Sequence, residues 1–426
     1  MNPYTVHSVT FSTGERFHVL REKATGAPLF EATLFTVSVA RAKGLASATI
    51  KQILTALMVF QLALDGLEID IDERLSQGRL LDLDEVESVI ALCRKEVKSI
   101  VRTTRTTRNL ASPRLVNLED VRMRSATKVA NDVVDANTAG IRIRYIRDYL
   151  NWLAAKRELK IGPAHSQYAG LSSIRQLIKD AFTERVPAAF SKNSDDERQG
   201  LSKEALVRLR EVTDPTSPEN PWKGAATKVR NQLIVDWFLA LGLRNGELLG
   251  IRTSHINFRS NDVTVTRQAD EVLDPRAQQP NVKTRGRVIP MSEELVTRTQ
   301  QYISKERRAQ GVARKSDWLF VANGTGKPLS LTAVNKMFAE LRAKCSGLPP
   351  DLSPHMLRHT WNDTFSDLMD ERKVPEEQEK RMRNELMGWA PNSKTAATYT
   401  RRFVRRKARE ASLALQNALK GPICDE

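Results

Sequence analysis

Three short stretches in the second half of this 426-residue chain hold side chains that could act on a phosphodiester. Leu241-Gly242-Leu243-Arg244-Asn245-Gly246-Glu247-Leu248-Leu249 sets an arginine at a glycine-interrupted helix junction, with Glu247 three residues on. Pro354-His355-Met356-Leu357-Arg358-His359-Thr360 puts His355 and Arg358 on one helical face. Ser353-Pro354 is a good helix start, so both side chains lie near an N-terminus that favours an anion. Leu386-Met387-Gly388-Trp389 is followed, ten residues after the tryptophan, by Tyr399. Attack on a phosphodiester builds negative charge on the non-bridging oxygens of a trigonal-bipyramidal phosphorane. Without a metal, that charge needs fixed cations, best a pair of guanidiniums whose planar forks match phosphate oxygens. The reaction also needs a nucleophile, a group to accept or steady its proton, and an acid for the leaving oxygen. Each piece has a plainer competitor: taken alone, Arg244 reads as a cap on the preceding helix, and Trp389 as a core aromatic.

The charge balance agrees with a polyanionic target. Lys and Arg number 67 against 51 Asp and Glu, a formal charge of +16. Folding does not call for such a surplus, and nucleic acid is the default partner. An acidic lipid surface would want a basic amphipathic helix beside bulky apolar residues, whereas here the excess is spread along the chain. No apolar run approaches the roughly 18–20 residues that span a bilayer, and the N-terminus does not read as a signal peptide, so neither a membrane nor export is expected. Cys93, Cys345 and Cys424 have neither zinc-ligand spacing nor the look of a disulfide framework. No His/Asp/Glu cluster has metal-ligand spacing, so no metal is expected. Asn323-Gly324-Thr325-Gly326-Lys327-Pro328 lacks phosphate-loop spacing and reads as a tight turn before a helix at Leu331. No cofactor is therefore expected.

The elements that must position these residues form a mostly α chain with a small β-sheet in its second domain. Residues 1–32 read as an N-terminal extension with short strands. Residues 33–185 read as a helical domain. In it Ile50, Ile53, Leu54, Leu57, Phe60 and Leu64 line one helix face, starting at Ser47 or Thr49 with Gly66 just past the end. A further helix is predicted from Asp84 to Cys93, and another capped by Asn137-Thr138. Between them, residues 94–136 form a basic insertion with ten Lys/Arg against five acids. Arg102, Arg105 and Arg108 fall three apart there, either as phosphate contacts or as a solvated charged loop. Residues 186–200 are a linker, whose run from Ser191 to Gly200 holds no apolar residue. From 201 to 412 a second domain mixes helices, including Val229–Leu243, with strands at Asp262–Arg267 and Arg287–Pro290. A C-terminal helix or tail covers 413–426.

Taken in order, Arg244, Lys283, His355 with Arg358, Trp389 and Tyr399 resemble the ordered Arg, Lys, His-x-x-Arg, His-or-Trp, Tyr set of the tyrosine site-specific recombinase, or phage integrase, family. The flanking Gly-Leu-Arg-x-x-Glu, Leu-Arg-His-Thr and Leu-Met-Gly-Trp contexts strengthen it. The resemblance covers 200–412 and extends loosely to 33–185, which look like the family's core-binding domain, a clamp on DNA. It implies a helical core-binding domain plus a mixed α/β catalytic domain. It also implies roles. Arg244 and Arg358 would clamp the scissile phosphate, and Glu247 would orient Arg244. Lys283, in Val282-Lys283-Thr284-Arg285-Gly286-Arg287 at a hairpin, would protonate the leaving 5′ oxygen. Arg285 and Arg287 compete for that place, but a guanidinium is a poor proton donor, and both are assigned to DNA binding instead. His355 would accept or orient the tyrosine proton, Trp389 would donate its indole N–H, and Tyr399 would attack phosphorus to give a 3′-phosphotyrosine. The Trp389–Tyr399 spacing is slightly longer than the family's.

The resemblance further implies double-stranded DNA with specific recombination sites as partner, and a homo-tetramer on paired sites passing through a Holliday junction. It allows an accessory DNA-bending or directionality factor, and implies a cytoplasmic, nucleoid-associated location. Ala411, Leu413, Ala414, Leu415, Ala418 and Leu419 would dock on a neighbouring protomer or on their own domain. Two other readings compete: a type IB topoisomerase-like enzyme, and a catalytically silent DNA-binding architectural protein.

Overall fold

The computed structural model describes residues 2–101, 132–188, 200–266, 271–280, 284–391 and 407–416. The chain divides into two compact units, Met1–Ser191 and Lys192–Glu426. Each has its own hydrophobic core.

In the first unit, β1 (Tyr4–Thr10) and β2 (Arg16–Glu22) pair antiparallel, Tyr4 against Glu22 and Thr10 against Arg16. The alternation predicted these strands, but the hairpin does not stand apart as an extension. Phe17 and Leu20 of β2 are buried in the core of the helices that follow. The expected border at residue 32 falls inside α1 (Phe30–Phe35), which continues into a π-helical turn at Thr36–Arg41. The central rod is α2 (Ser47–Leu67). Its predicted face is buried, and so are Ala56, Met58, Val59, Leu62 and Ala63, so it meets neighbours on several sides. Each such aliphatic side chain, once fully buried, stabilises by about 1.5–3 kcal/mol. The helix runs through Gly66 and ends where Glu68 turns left-handed (φ 55°). At 21 residues it is long and apolar enough to cross a bilayer by length and composition, which corrects the expectation that no stretch comes near that length. Its burial in the unit's core accounts for that composition.

Then come α3 (Ile71–Ser76) and α4 (Leu83–Cys93), the latter held at its start by a capping box between Asp82 and Glu85. Most of the basic insertion, with Arg102, Arg105 and Arg108, lies outside the described residues. Its two ends meet, since Lys95 bridges to Val133 and the Glu96 amide donates to the Asp132 carbonyl. The insertion therefore leaves and re-enters the unit at one place. α5 (Ala136–Ile161) is capped by Asp135, whose carboxylate accepts from the Thr138 amide at 3.0 Å, and not by Asn137 or Thr138. α6 (Tyr168–Glu184) completes the unit.

The second unit begins by attaching itself to its own later sequence. The Gly200 amide donates to Asp363 Oδ2 (2.9 Å) and the Leu201 amide to Thr360 Oγ1 (2.8 Å). A Cβ at Gly200 would lie 2.6 Å from both that carboxylate and the Thr360 backbone, so only glycine allows the approach. α7 (Lys203–Thr213) is capped by Ser202, and α8 (Ala225–Leu241) starts four residues before the predicted Val229. After α9 (Asn245–Gly250), a three-stranded antiparallel sheet forms in the order β3 (Ile256–Asn257), β4 (Asp262–Val265), β5 (Arg287–Pro290). Val263 faces Ile289 and Val265 faces Arg287. α10 (Glu293–Tyr302), α11 (Leu331–Lys344), α12 (Pro354–Glu371) and α13 (Glu376–Met387) follow, and residues 407–416 are helical. Trp237, Phe238, Tyr302, Phe320 and Phe338 fill the core. The buried indole N–H of Trp237 is satisfied by Thr299 Oγ1 at 3.0 Å. The chain is mostly α with small sheets, as expected.

Candidate active site

A single carboxylate organises the site. α8 stops at Gly242, which turns left-handed (φ 59°, ψ 26°). Two residues later Arg244 opens α9, and Glu247 in its first turn folds back to accept from the Arg244 amide (2.9 Å) and from Arg244 Nη1 (3.2 Å). The Glu247 side chain is fully buried, while that of Arg244 is 33% exposed. Arg287 at the start of β5 donates to the same carboxylate at 3.0 Å and 3.3 Å, and Thr284 Oγ1 donates at 2.5 Å. Arg358 Nη1, from the second turn of α12, stands 3.7 Å away. Burial alone would push the Glu247 carboxyl up; Arg287, Arg358 and Thr284 outweigh it and hold it at about 2.

The charge sum at this point matters for chemistry. Three guanidiniums gather on one buried carboxylate. A phosphodiester carries one negative charge, and a pentacoordinate phosphorane formed by an oxyanion carries two. Cations fixed in advance by a buried partner cost little reorganisation when that charge develops.

Arg358 is held from a second side. Its Nη1 donates to the Gly242 carbonyl at 2.5 Å, and its guanidinium lies 5.4 Å from the Trp389 ring centroid, within cation–π range. Its side chain is 1% exposed. Gly242 is itself closely packed: a Cβ there would come 2.8 Å from Met387 Cε and 2.9 Å from the Trp361 ring. Trp389 follows α13, which ends at the left-handed Gly388 (φ 64°). It is buried and packs with Met387 and Trp361, so it is a core aromatic that also faces Arg358. The end of α13 is tied to β5, since the Gly388 carbonyl accepts from the Arg285 amide (3.1 Å) and the Leu386 carbonyl from Arg287 Nε (2.6 Å). His355, in the first turn of α12, is exposed, and its ring centroid lies 4.4 Å from that of His359.

Of the residues singled out in the sequence, Arg244, Glu247, Arg358 and Trp389 are thus brought together, with His355 on the same helix as Arg358. Lys283 and Tyr399 lie outside the described residues. Lys283 is chain neighbour to Thr284, whose hydroxyl is bonded to Glu247. Arg285 is exposed. Arg287, expected among the DNA contacts, has a side chain 2% exposed that donates to Glu247 and to the Leu386 carbonyl. Two of Glu247's partners were not read as such in the sequence. Thr284 gave no signal beyond its place next to Lys283. For Arg287 there was one, because strand parity puts it on the same face as Ile289, and that face is buried while Val288 points out. Beside the site, a cavity of about 620 Å³ is lined by Arg285, Arg287, Lys380, Arg381 and Trp389 among others. Among the described residues no group of three or more His, Cys, Asp or Glu could hold a metal ion.

Residues 200–406 match the model of the phage integrase family. The chain is 26% identical over 226 residues to the tyrosine recombinase XerC of Yersinia pestis, covering 53% of this chain and 58% of that one. It is 23% identical to XerC of Escherichia coli O127:H6, over 53% of this chain and 59% of the relative. The chain thus spans under two thirds of the length of the curated relatives it matches. Among solved structures it is similar to the XerH site-specific recombinase bound to its difH substrate, with 15% identity, a TM-score of 0.44, and coverage of 83% of this chain and 93% of the other. It is also similar to the XerA recombinase, with 22% identity, a TM-score of 0.34, and coverage of 63% and 82%.

Proposed function

Since residues 200–406 belong to the phage integrase family, we propose that this chain is a site-specific DNA recombinase that cuts and rejoins duplex DNA through Tyr399. The observation that carries the reading is the pair of arginines, Arg244 and Arg358, gathered on the buried Glu247. In this reading Arg244 and Arg358 hold the non-bridging oxygens of the scissile phosphate. The Tyr399 oxygen attacks phosphorus, and His355 accepts or orients its proton. The bond from phosphorus to the 5′ oxygen breaks, and Lys283 supplies the proton that oxygen needs. Trp389 packs against Arg358 and offers its indole N–H to the phosphate. The 3′-phosphotyrosine conserves the energy of the broken linkage, so a 5′ hydroxyl from another strand can displace the tyrosine without ATP. Four copies on two paired sites would exchange strands two at a time, with an accessory DNA-bending factor as a further partner. Such work places the protein with DNA in the cytoplasm.

The test begins without a known site. The chain is incubated with sheared genomic DNA, denatured in detergent, and the DNA that stays attached to protein is sequenced. A nicked duplex of the recovered site then compares wild type with Tyr399→Phe, which removes the nucleophilic oxygen and keeps the ring. The expected result is a covalent adduct for wild type, none for the variant, and equal retardation of the duplex by both. An adduct in Tyr399→Phe would mean another residue attacks, and no adduct in wild type would sink the reading.

A further inference from the structure

The chain that joins β4 to β5 is long for a hairpin, running from Thr266 to Gly286, and the proposed acid Lys283 lies near its far end. Its middle is fastened to the body of the unit with unusual thoroughness. Arg276 Nη1 donates to two backbone carbonyls, Leu249 (3.0 Å) and Leu329 (2.9 Å). Its Nε and Nη2 meet the Asp274 carboxylate at 2.9 Å and 2.8 Å, and its own amide donates to Asp274 Oδ1 at 2.9 Å. Asp274 has a fully buried side chain, and that of Arg276 is 7% exposed. The Arg276 guanidinium lies 4.5 Å from the Trp318 ring centroid and that of Arg252 lies 4.6 Å from the same ring. Arg252 in turn pairs with Glu271 of the connection at 3.1 Å.

A buried ion pair of this quality is not what a solvent loop needs to stay soluble. Its desolvation is costly, and a purely apolar contact would hold a loop down as well. What a bidentate guanidinium adds is geometric definition. The position it defines is informative: Leu249 sits on α9, two residues from Glu247, and Arg276 is eight positions before Thr284, which is bonded to Glu247. Lys283 is therefore bracketed in sequence by two attachments that both end on α9.

We infer that Asp274 and Arg276 are positioning residues for the reaction: by fastening the β4–β5 connection to α9 and Trp318, they set where the Lys283 ammonium can deliver its proton. The inference rests on the proposed reading of Lys283 as the acid for the leaving oxygen. Without the anchor, the fixed points flanking Lys283 would be Glu271, held by Arg252, and Thr284, thirteen positions apart instead of eight. Chain-closure statistics alone then dilute the ammonium by roughly twofold, and lost orientation adds to that.

The test is single-turnover cleavage of the recovered site in two forms, with the ordinary 5′ oxygen and with sulfur at that bridging position. A thiolate leaves without an acid, so a defect in proton delivery is repaired by sulfur, whereas lost folding or phosphate binding lowers both rates together. Arg276→Ala and Lys283→Ala should each raise the sulfur-to-oxygen rate ratio above wild type, by at least about twofold for Arg276→Ala. Arg244→Ala should leave the ratio unchanged. Asp274→Asn, which keeps its side-chain volume, carries the same expectation if Arg276→Ala does not fold. A raised ratio for Lys283→Ala with an unchanged one for Arg276→Ala and Asp274→Asn overturns the anchor's role. An unchanged ratio for Lys283→Ala overturns the assignment of the acid, and the inference with it.

Discussion

Replacing Glu247 by glutamine tests whether one carboxylate organises the site. The two side chains have nearly the same shape, so packing is preserved and the change is electrical. Oε2 accepts from the Arg244 amide and from Arg287 Nη2, while Oε1 accepts from Thr284, Arg244 Nη1 and Arg287 Nη1. Glutamine must put an NH2 group at one of these places, and in either orientation a donor then faces donors. Three guanidiniums would be left around a site with no negative charge. Removing one partner of a buried pair costs about 3–5 kcal/mol, and with the Glu247 side chain fully buried, water cannot replace it. Urea denaturation of the full chain should therefore show Glu247→Gln less stable by about 3 kcal/mol or more. Under conditions where the variant is still folded, the single-turnover cleavage rate should fall about 10²–10³-fold, as when one preorganised donor is lost. The adduct that does form should still be to Tyr399. A variant within about 0.5 kcal/mol of wild type, cleaving within a few-fold of it, would falsify the view that this carboxylate holds the arginines in place.

Two further outcomes follow from the same geometry. The Glu247 carboxyl is held at about 2 against an ordinary 4.5, so its contribution is complete above pH 4.5 and is lost as pH falls toward 2. It amounts to about 3 kcal/mol, and the stability gap between wild type and Glu247→Gln should narrow steadily as pH falls below about 5 and be lost only near pH 2; a gap that stays constant from pH 5 to pH 3 contradicts the assignment. Gly242→Ala places a Cβ against the Trp361 ring at a left-handed residue, which should cost about 2 kcal/mol or more in urea unfolding and slow cleavage through the Arg358 bond to the Gly242 carbonyl; wild-type stability and rate together would contradict it.

How much of this was legible beforehand depended on whether a residue's role was local. The helix around Ile50 to Leu64 and the strand at Arg287–Pro290 have periodicities that a few neighbouring residues complete, and both are present. Helix ends were less readable. Asp135, and not Asn137 or Thr138, caps its helix because an Asp at that position reaches the third amide, and Glu68 tolerates the left-handed turn in place of Gly66. In the candidate site, the spacing of Arg244 and Glu247 pointed to their contact because it lies within one helical turn. That Arg287 turns inward to the same carboxylate was not inferred, since Glu247 lies forty positions away in the sequence. Arg276 and Asp274 drew no notice for a similar reason: their partners at Leu249, Trp318 and Leu329 are near only in the folded unit.

The distance along the chain over which the site is assembled bears on when the protein becomes able to cut. The Gly242 carbonyl and Arg358 are separated by 116 positions. Contacts so distant in sequence close late in folding, and a ribosome adding about 5–20 residues per second makes α12 roughly 6–23 s after α9. In the proposed reading, the nascent chain in that interval has Arg244 but not yet Arg358, the second arginine for the phosphate. Tyr399 is made later still. Synthesis would thus keep the two arginines, and then the proposed nucleophile, apart. In that reading, a polypeptide cut short before residue 354 would carry Arg244 but neither Arg358 nor Tyr399, and would settle on DNA without breaking it.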